Sequence, residues 1–366
     1  MLKENEIPSE SAEALLMPSD LSKKAAPLPD QTPVIEPPSV KLIVRLFLIP
    51  MLIVAAAVGV MFLIGRMAGS PPTFDEALNG LKTQGGERTA DWLVGPGAKQ
   101  RYLYAQTLTD KMKQGMSEAE RIEVGDKIIE LLDKYVHPEE GQVQNFLLLA
   151  LGRVWQTDPG VKPMDSPQAT ESRQRIVQTL IRFASVENLQ ARKAAVLAMC
   201  FLAGAPEAGE LKSVLIKKVT DEKEDLDVRM AAATALGPIG SASDTDVLEA
   251  LRAAARDGNP EHKELVWDAS LSLAQLNQPD VADTILMLLN RANLDKFDIL
   301  DRETDPKNPA FRKLNDQEKL RILINTMMGA KNLKVDAVQA KLQDLAKNDP
   351  SPRVRAAGAE ILNSPK

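Results

Sequence analysis

Few residues in this chain are of a type that performs chemistry unaided. There are two histidines, His137 and His262, and one cysteine, Cys200, in 366 residues. A bound zinc needs three or four Cys, His or carboxylate ligands at characteristic spacing, and neither histidine has such neighbours. His137 stands before a proline at an expected helix C-terminus, where the helix dipole favours an imidazolium. A lone cysteine closes no intramolecular disulfide, and in an apolar helix it reads as a small hydrophobe. Asp298, Asp301 and Asp305 lack the alternate spacing and central glycine of a calcium loop. No Gly-x-Ser-x-Gly elbow, no Gly-rich phosphate loop ending in Lys-Ser/Thr and no Gly-x-Gly-x-x-Gly after a strand occurs. Two carboxylates for acid-base work could come from any pair of helices, but nothing in the sequence singles a pair out. No catalytic residue, metal ligand or cofactor is therefore assigned, and a non-enzymatic role is expected.

What remains is recognition chemistry. Arg192, Arg229, Arg321 and Arg355 fall at one aligned position of a recurring pattern, and Phe297 and Phe311 lie in an interruption of it. Exposed arginines and aromatics carry much of the energy of protein interfaces, so these six residues are the candidate partner contacts. For the arginines the competing role is pairing with acidic neighbours to stitch repeats together. For the phenylalanines it is packing back on the domain.

The recurring pattern is clearest at Leu226 to Gly240, and Met199, Leu236 and Leu273 mark its return every 37 residues. A constant period in the range of ~20 to 50 residues is the mark of a solenoid. Looser copies end in the same way, an aliphatic residue followed by a small one, at Phe146–Gly152, Arg321–Gly329 and Pro352–Leu362. Each copy, a B helix, is preceded by an amphipathic A helix with apolar residues at i, i+3 and i+4, such as Ile176, Val177, Leu180 and Ile181 or Val247, Leu248 and Leu251.

With these residues in view, the chain resembles the HEAT-repeat family, including its bacterial short-repeat members. The family's B helix reads Asp, then Val-Arg, then Ala-Ala-x-Ala-Leu-Gly-x-Ile-Gly; Asp227 to Gly240 matches it almost throughout and Asp349 to Ala357 matches its first half. Val266 and Gln144 replace the arginine in two copies. The resemblance implies an all-α fold, a right-handed α-solenoid of about six helical hairpins over residues 98–366, and a protein-binding concave surface of B helices. Alanines would let B helices approach closely, aspartate would cap them, and glycine would end them. The alternative it implies is a HEAT-like lyase or isomerase acting on a bilin-type chromophore, against which stand the few histidines and the 4% aromatic content.

The rest of the chain supplies an anchor. Residues 1–41 are rich in Pro, Glu, Ser and Lys and too poor in apolar residues to offset chain entropy, so a disordered tail is expected. Leu46 to Gly65 is a 20-residue uncharged apolar run. At ~1.5 Å per residue it matches a bilayer's ~30 Å hydrocarbon core, so residues 42–65 are expected to form one transmembrane helix. Ala55 and Gly59 form a small-xxx-small step that could pair two such helices as a weak homodimer. Lys23, Lys24, Lys41 and Arg45 before the span against Arg66, Lys82 and Arg88 after it favour a cytoplasmic tail, with the repeats outside the cytoplasm of a bacterial cytoplasmic membrane. Residues 66–97 read as a juxtamembrane linker with a short helix from Thr73 to Leu81, followed by helices at 98–114 and 117–135, the latter opened by a Ser117–Glu120 capping box. Insertions at 156–168 and 294–316 interrupt the period. With 45 basic against 51 acidic residues and a pI near 5.3, nucleic acid is not an expected partner; a protein partner and the membrane are.

Overall fold

Several helices of the domain begin where the sequence offers a side-chain oxygen to their first free N–H groups. Asn188 accepts from the N–H of Ala191, Asp225 from that of Asp227, Ser166 from that of Ala169, and Asn315 from that of Glu318. The expected Ser117–Glu120 capping box forms, with Glu120 Oε2 accepting from the Ser117 N–H at 2.7 Å. Asn315 and Glu318 form a second.

The computed structural model describes Glu76 and residues 116–134, 141–156, 165–301 and 310–363. The expected tail, the Leu46–Gly65 span with its Ala55 and Gly59, the helix at 98–114, His137 and Asp305 lie outside the described residues. Among the described residues no helix is long and apolar enough to cross a membrane. The chain divides into two units, Met1–Ser70 and Pro71–Lys366, and every described residue belongs to the second.

Thirteen α-helices account for most of the described residues, as an all-α class requires. They are α1 (Glu118–Lys134), α2 (Gly141–Arg153), α3 (Pro167–Phe183), α4 (Leu189–Met199), α5 (Ala208–Thr220), α6 (Leu226–Ile239) and α7 (Thr245–Ala255), then α8 (Lys263–Gln275), α9 (Ala282–Leu288), α10 (Arg291–Leu294), α11 (Asp316–Ala330), α12 (Asp336–Asn348) and α13 (Pro352–Asn363). The helices pack in two layers. In one, α2, α4, α6, α8, α11 and α13 touch in that order; in the other α1, α3, α5 and α7 do, as do α9 and α12. Each A helix also packs on the B helix that follows it, so α1 pairs with α2.

Small residues bring the B helices together. A Cβ on Gly152 would overlap the carbonyl oxygen of Ala198, and the Ser272 hydroxyl donates to the carbonyl of Ala233 at 2.7 Å. Ala194, Ala195, Ala231, Ala232 and Ala269 are buried between the layers. Gly240 ends α6 as expected, its N–H donating to the Leu236 carbonyl at 2.8 Å, but three other glycines serve otherwise. Gly152, Gly237 and Gly329 lie inside helices at close contacts, whereas α8 is ended by Asn277, at φ 55°, with the Gln278 N–H donating to the Leu273 carbonyl at 2.9 Å.

A row of ion pairs ties three successive A helices, α3, α5 and α7, each to the start of the next. Arg173 reaches Glu207, Lys212 reaches Asp244 and Arg252 reaches Asp280, all beside the first turn of the following A helix, where the dipole favours a carboxylate. The first pair is buried on both sides, and the Arg173 guanidinium also lies 5.6 Å from the Trp155 ring.

The interruption at 294–316 departs from the all-helical pattern. Strands β1 (Asp298–Asp301) and β2 (Ala310–Lys313) pair antiparallel, Leu300 opposite Phe311 and Asp298 opposite Lys313. Lys313 also bridges to Asp298 at 2.9 Å, and Arg312 to Asp301 at 3.8 Å. Ile299 points into the core, while the Lys263 ammonium donates to the carbonyl of Asp298 at 2.7 Å and pins the ribbon to the start of α8.

Candidate functional site

The four arginines read from the sequence do not share one role. Arg192 donates to the carbonyls of Val186 and Glu187, six and five residues before it, and Arg355 donates likewise to Asp349 and Pro350. Arg229, only 7% exposed, donates to the carbonyl of Val219 in the last turn of α5 and lies 3.8 Å from Asp257. These three arginines brace the turn between an A helix and its B helix, Arg229 through a carbonyl of the A helix's last turn and Arg192 and Arg355 through carbonyls of the turn itself. Arg192 and Lys218 together grip Glu224 at 3.0 and 2.5 Å. Burial pushes the Glu224 carboxyl up, but the bonds from Lys218 and the Asp225 N–H, with the charge of Arg192, hold it below the usual carboxylate range.

Arg321 is the exception. Beyond its first turn, the exposed residues of α11 are Arg321, Asn325 and Met328, at i, i+4 and i+7, a spacing that the partly exposed Glu264, Asp268 and Leu271 of α8 share. That spacing is one line along a helix. Arg321 thus stands on the solvent-facing line of its helix, not where Arg229 is buried. On α4 and the residue that caps it the corresponding line is Lys193, Leu197 and Cys200, and on α6 it is Asp227, Met230 and Thr234. Leu197, Met230 and Leu271 rest partly on the core, and Met328 is 48% exposed. Four successive B helices therefore present an apolar line flanked on its N-terminal side by charges.

Those charges interact across the helices. The Lys193 ammonium of α4 lies 2.7 Å from Asp227 of α6, and Arg312 of the ribbon holds Glu318 of α11 at 2.7 Å. Between them stand Glu264 and Asp268, one turn apart on α8. Burial pushes the Asp268 carboxyl up to about 7, with the like charge of Glu264 adding to it and Arg321 and Lys193 opposing it. Burial also raises Glu264, against the pull of Arg321. Hydrogen bonding to Arg312 brings Glu318 down to about 2. Asp268 makes no hydrogen bond or ion pair among the described residues.

Sequence reading missed this cluster, although a signal was available. Counting back by the period, Asp268 occupies the place of Ala231 and Ala194, so a carboxylate replaces an alanine of the run. Phe297 and Phe311 part company: Phe297 packs on Trp267 with ring centroids 5.2 Å apart, while Phe311 is 45% exposed on β2. His262 is held by Asp257 at 2.7 Å and Cys200 is partly buried, its thiol pushed up to about 11 mainly by burial. Among the described residues no three His, Cys, Asp or Glu side chains converge on a metal position.

Compared with known proteins, the chain matches no family model and no curated relative.

Proposed function

We propose that this protein is a membrane-tethered, non-catalytic scaffold that docks a protein partner on the face formed by its B helices. The observation that carries the proposal is the line of Leu197, Met230, Leu271 and Met328 across α4, α6, α8 and α11, apolar side chains partly open to solvent beside a row of charges. Apolar area rimmed by charge is how interfaces combine burial with orientation. In this reading the six hairpins stack as a right-handed HEAT-type α-solenoid, the B layer lines its concave side, and Leu46–Gly65 anchors it in a bacterial cytoplasmic membrane. The layer order of the helices and the alanines between them support the stacking; the length and apolarity of Leu46–Gly65 support the anchor. Arg321 and Phe311 remain candidate contacts, both being exposed, whereas Arg192, Arg229, Arg355 and Phe297 are engaged within the domain.

A photo-crosslinking amino acid placed in the full-length protein in cells tests the docking face. Incorporation at Leu197, Leu271 or Met328 should yield polypeptide adducts, and incorporation at the A-layer residues Lys217 and Glu249 should not. Adducts from the A layer alone would overturn the assignment. Deletion of residues 46–65 should release the protein from the membrane fraction.

A further inference from the structure

The two strands of the β-ribbon stand differently toward the domain. The Lys263 ammonium takes the Asp298 carbonyl at 2.7 Å and Ile299 is buried, so β1 lies against the helices. β2 is the outer strand: Ala310, Phe311 and Lys313 are exposed, and no third strand joins it among the described residues. In an antiparallel pair every second residue of each strand turns its N–H and C=O away from the other strand. Beyond the ladder itself, one bond reaches a backbone group of Phe311, Arg312 or Lys313 among the described residues, from the Arg312 guanidinium to the Lys313 carbonyl at 3.2 Å. An open strand edge of this kind is a template for one more strand.

The side chains say what that strand would carry. Residues alternate between the faces of a ribbon. Ile299 and Arg312, a cross-strand pair, are on the inner face, Ile299 in the core and Arg312 on Glu318 of α11. On the outer face Leu300 stands opposite Phe311, and Asp298 opposite Lys313, their charged atoms 2.9 Å apart. β1 thus offers β2 the pattern Asp-x-Leu, the carboxylate to Lys313 and the leucine to Phe311. A strand on the far side of β2 extends the same two columns. Lys313 can serve both sides: its ammonium has three N–H donors, of which the Lys296 carbonyl and Asp298 take two, and its side chain is 60% exposed.

We infer that the outer edge of β2 binds an extended segment of a partner protein, paired antiparallel, in which a carboxylate stands two residues before an apolar side chain. The carboxylate meets Lys313 and the apolar side chain meets Phe311. A second copy of β2 is a poorer occupant, because it would bring Arg312 and Lys313 against their own kind. This edge is a surface separate from the B-helix face and does not depend on it.

The test uses the full-length protein in nanodiscs of phosphatidylcholine, with binding to empty discs subtracted. The probes are labelled peptides of about ten residues whose centre reads Asp-Thr-Leu, Lys-Thr-Leu or Asp-Thr-Ser, with a carbon-13 carbonyl on the central threonine. The Asp-Thr-Leu peptide should bind about fivefold more tightly than either of the others, and its labelled carbonyl should take the infrared frequency of a β-strand when bound. Phe311→Ala should weaken it about fivefold or more, and Lys313→Gln should erase its advantage over Lys-Thr-Leu. Leu271→Ser on the B-helix face should change neither. A further check alters no residue of the protein: N-methyl groups along one edge of the peptide should abolish binding, and along the other edge should leave it. Equal binding of the three peptides overturns the inference, as does binding that Leu271→Ser removes. So does a labelled carbonyl that keeps the frequency of an unordered chain, equal loss from methyl groups on either edge, or no binding up to about 1 mM.

Discussion

The Phe297 ring lies 5.2 Å from that of Trp267, tilted by 43°, and thereby fastens the β-ribbon to the buried side of α8. The interruption at 294–316 is for this reason not a detachable loop. Phe297→Ala should cost about 2 to 4 kcal/mol, since it removes a large side chain from a packed position. Phe311→Ala, on an exposed strand position, should stay within about 0.5 kcal/mol. Urea unfolding of the two variants, followed by circular dichroism, checks this; equal midpoints would refute it.

Asp268 makes stability depend on pH. Its carboxyl ionises near 7 in the folded chain, against ~4 when unfolded. The folded state therefore holds the proton more tightly, and this contribution is fully present below about pH 4 and lost as pH rises to about 7. Burial sets that shift, with Glu264 on its own helix adding to it and Arg321 on α11 and Lys193 on α4 opposing it. Asp268→Asn should raise stability at pH 8 by roughly 1 to 3 kcal/mol, discounted for the part of the side chain that solvent reaches, and the gain should shrink toward pH 4. Thermal melts at both pH values decide; a gain that is constant across pH would contradict the assignment.

Two glycines should respond oppositely to alanine. At Gly152 the new Cβ overlaps the Ala198 carbonyl, so the helices must separate, at a cost of about 1 to 3 kcal/mol. At Gly209 in α5 nothing lies within 4 Å, and alanine should stabilise by about 0.5 to 1 kcal/mol. Melting temperatures shifting the same way for both would count against this packing.

The helix pairs were legible in the sequence because their signal is local: Val247, Leu248 and Leu251 declare a buried face, and Ser117 with Glu120 declares a helix start. The B-layer contacts were half legible. The alanine run announced close approach, but that Gly152 and Gly237 serve contact and not termination depends on which neighbouring helix arrives opposite them. The arginines show the limit most plainly. Arg192 and Arg355 match in sequence and in bonding, yet Arg321, given the same alignment, stands in solvent. Phe297 and Phe311 were equivalent as letters; only the strand pairing separated one that packs from one that is exposed.

Cutting one buried ion pair should matter more than cutting an exposed one. Arg173 and Glu207 are both withdrawn from water, so Arg173→Ala leaves a carboxylate without its partner and should cost about 3 to 5 kcal/mol. Arg182 and Asp133 are well exposed, and Arg182→Ala should cost under about 1 kcal/mol. Comparable losses in the two variants, measured by denaturant titration, would be inconsistent with this burial.

The ion pairs that lead from one A helix to the next also set a timetable for synthesis. Arg173, Lys212 and Arg252 find their carboxylates 34, 32 and 28 residues downstream. Each hairpin can thus be latched as soon as the first turn of its successor leaves the ribosome, without waiting for the C-terminus. Domains that fold in the order of their translation expose less unfinished apolar surface at any moment. A nascent chain whose Glu207 has cleared the ribosome can hold its first latch, while one with Glu207 still inside carries Arg173 with no counter-charge to meet it.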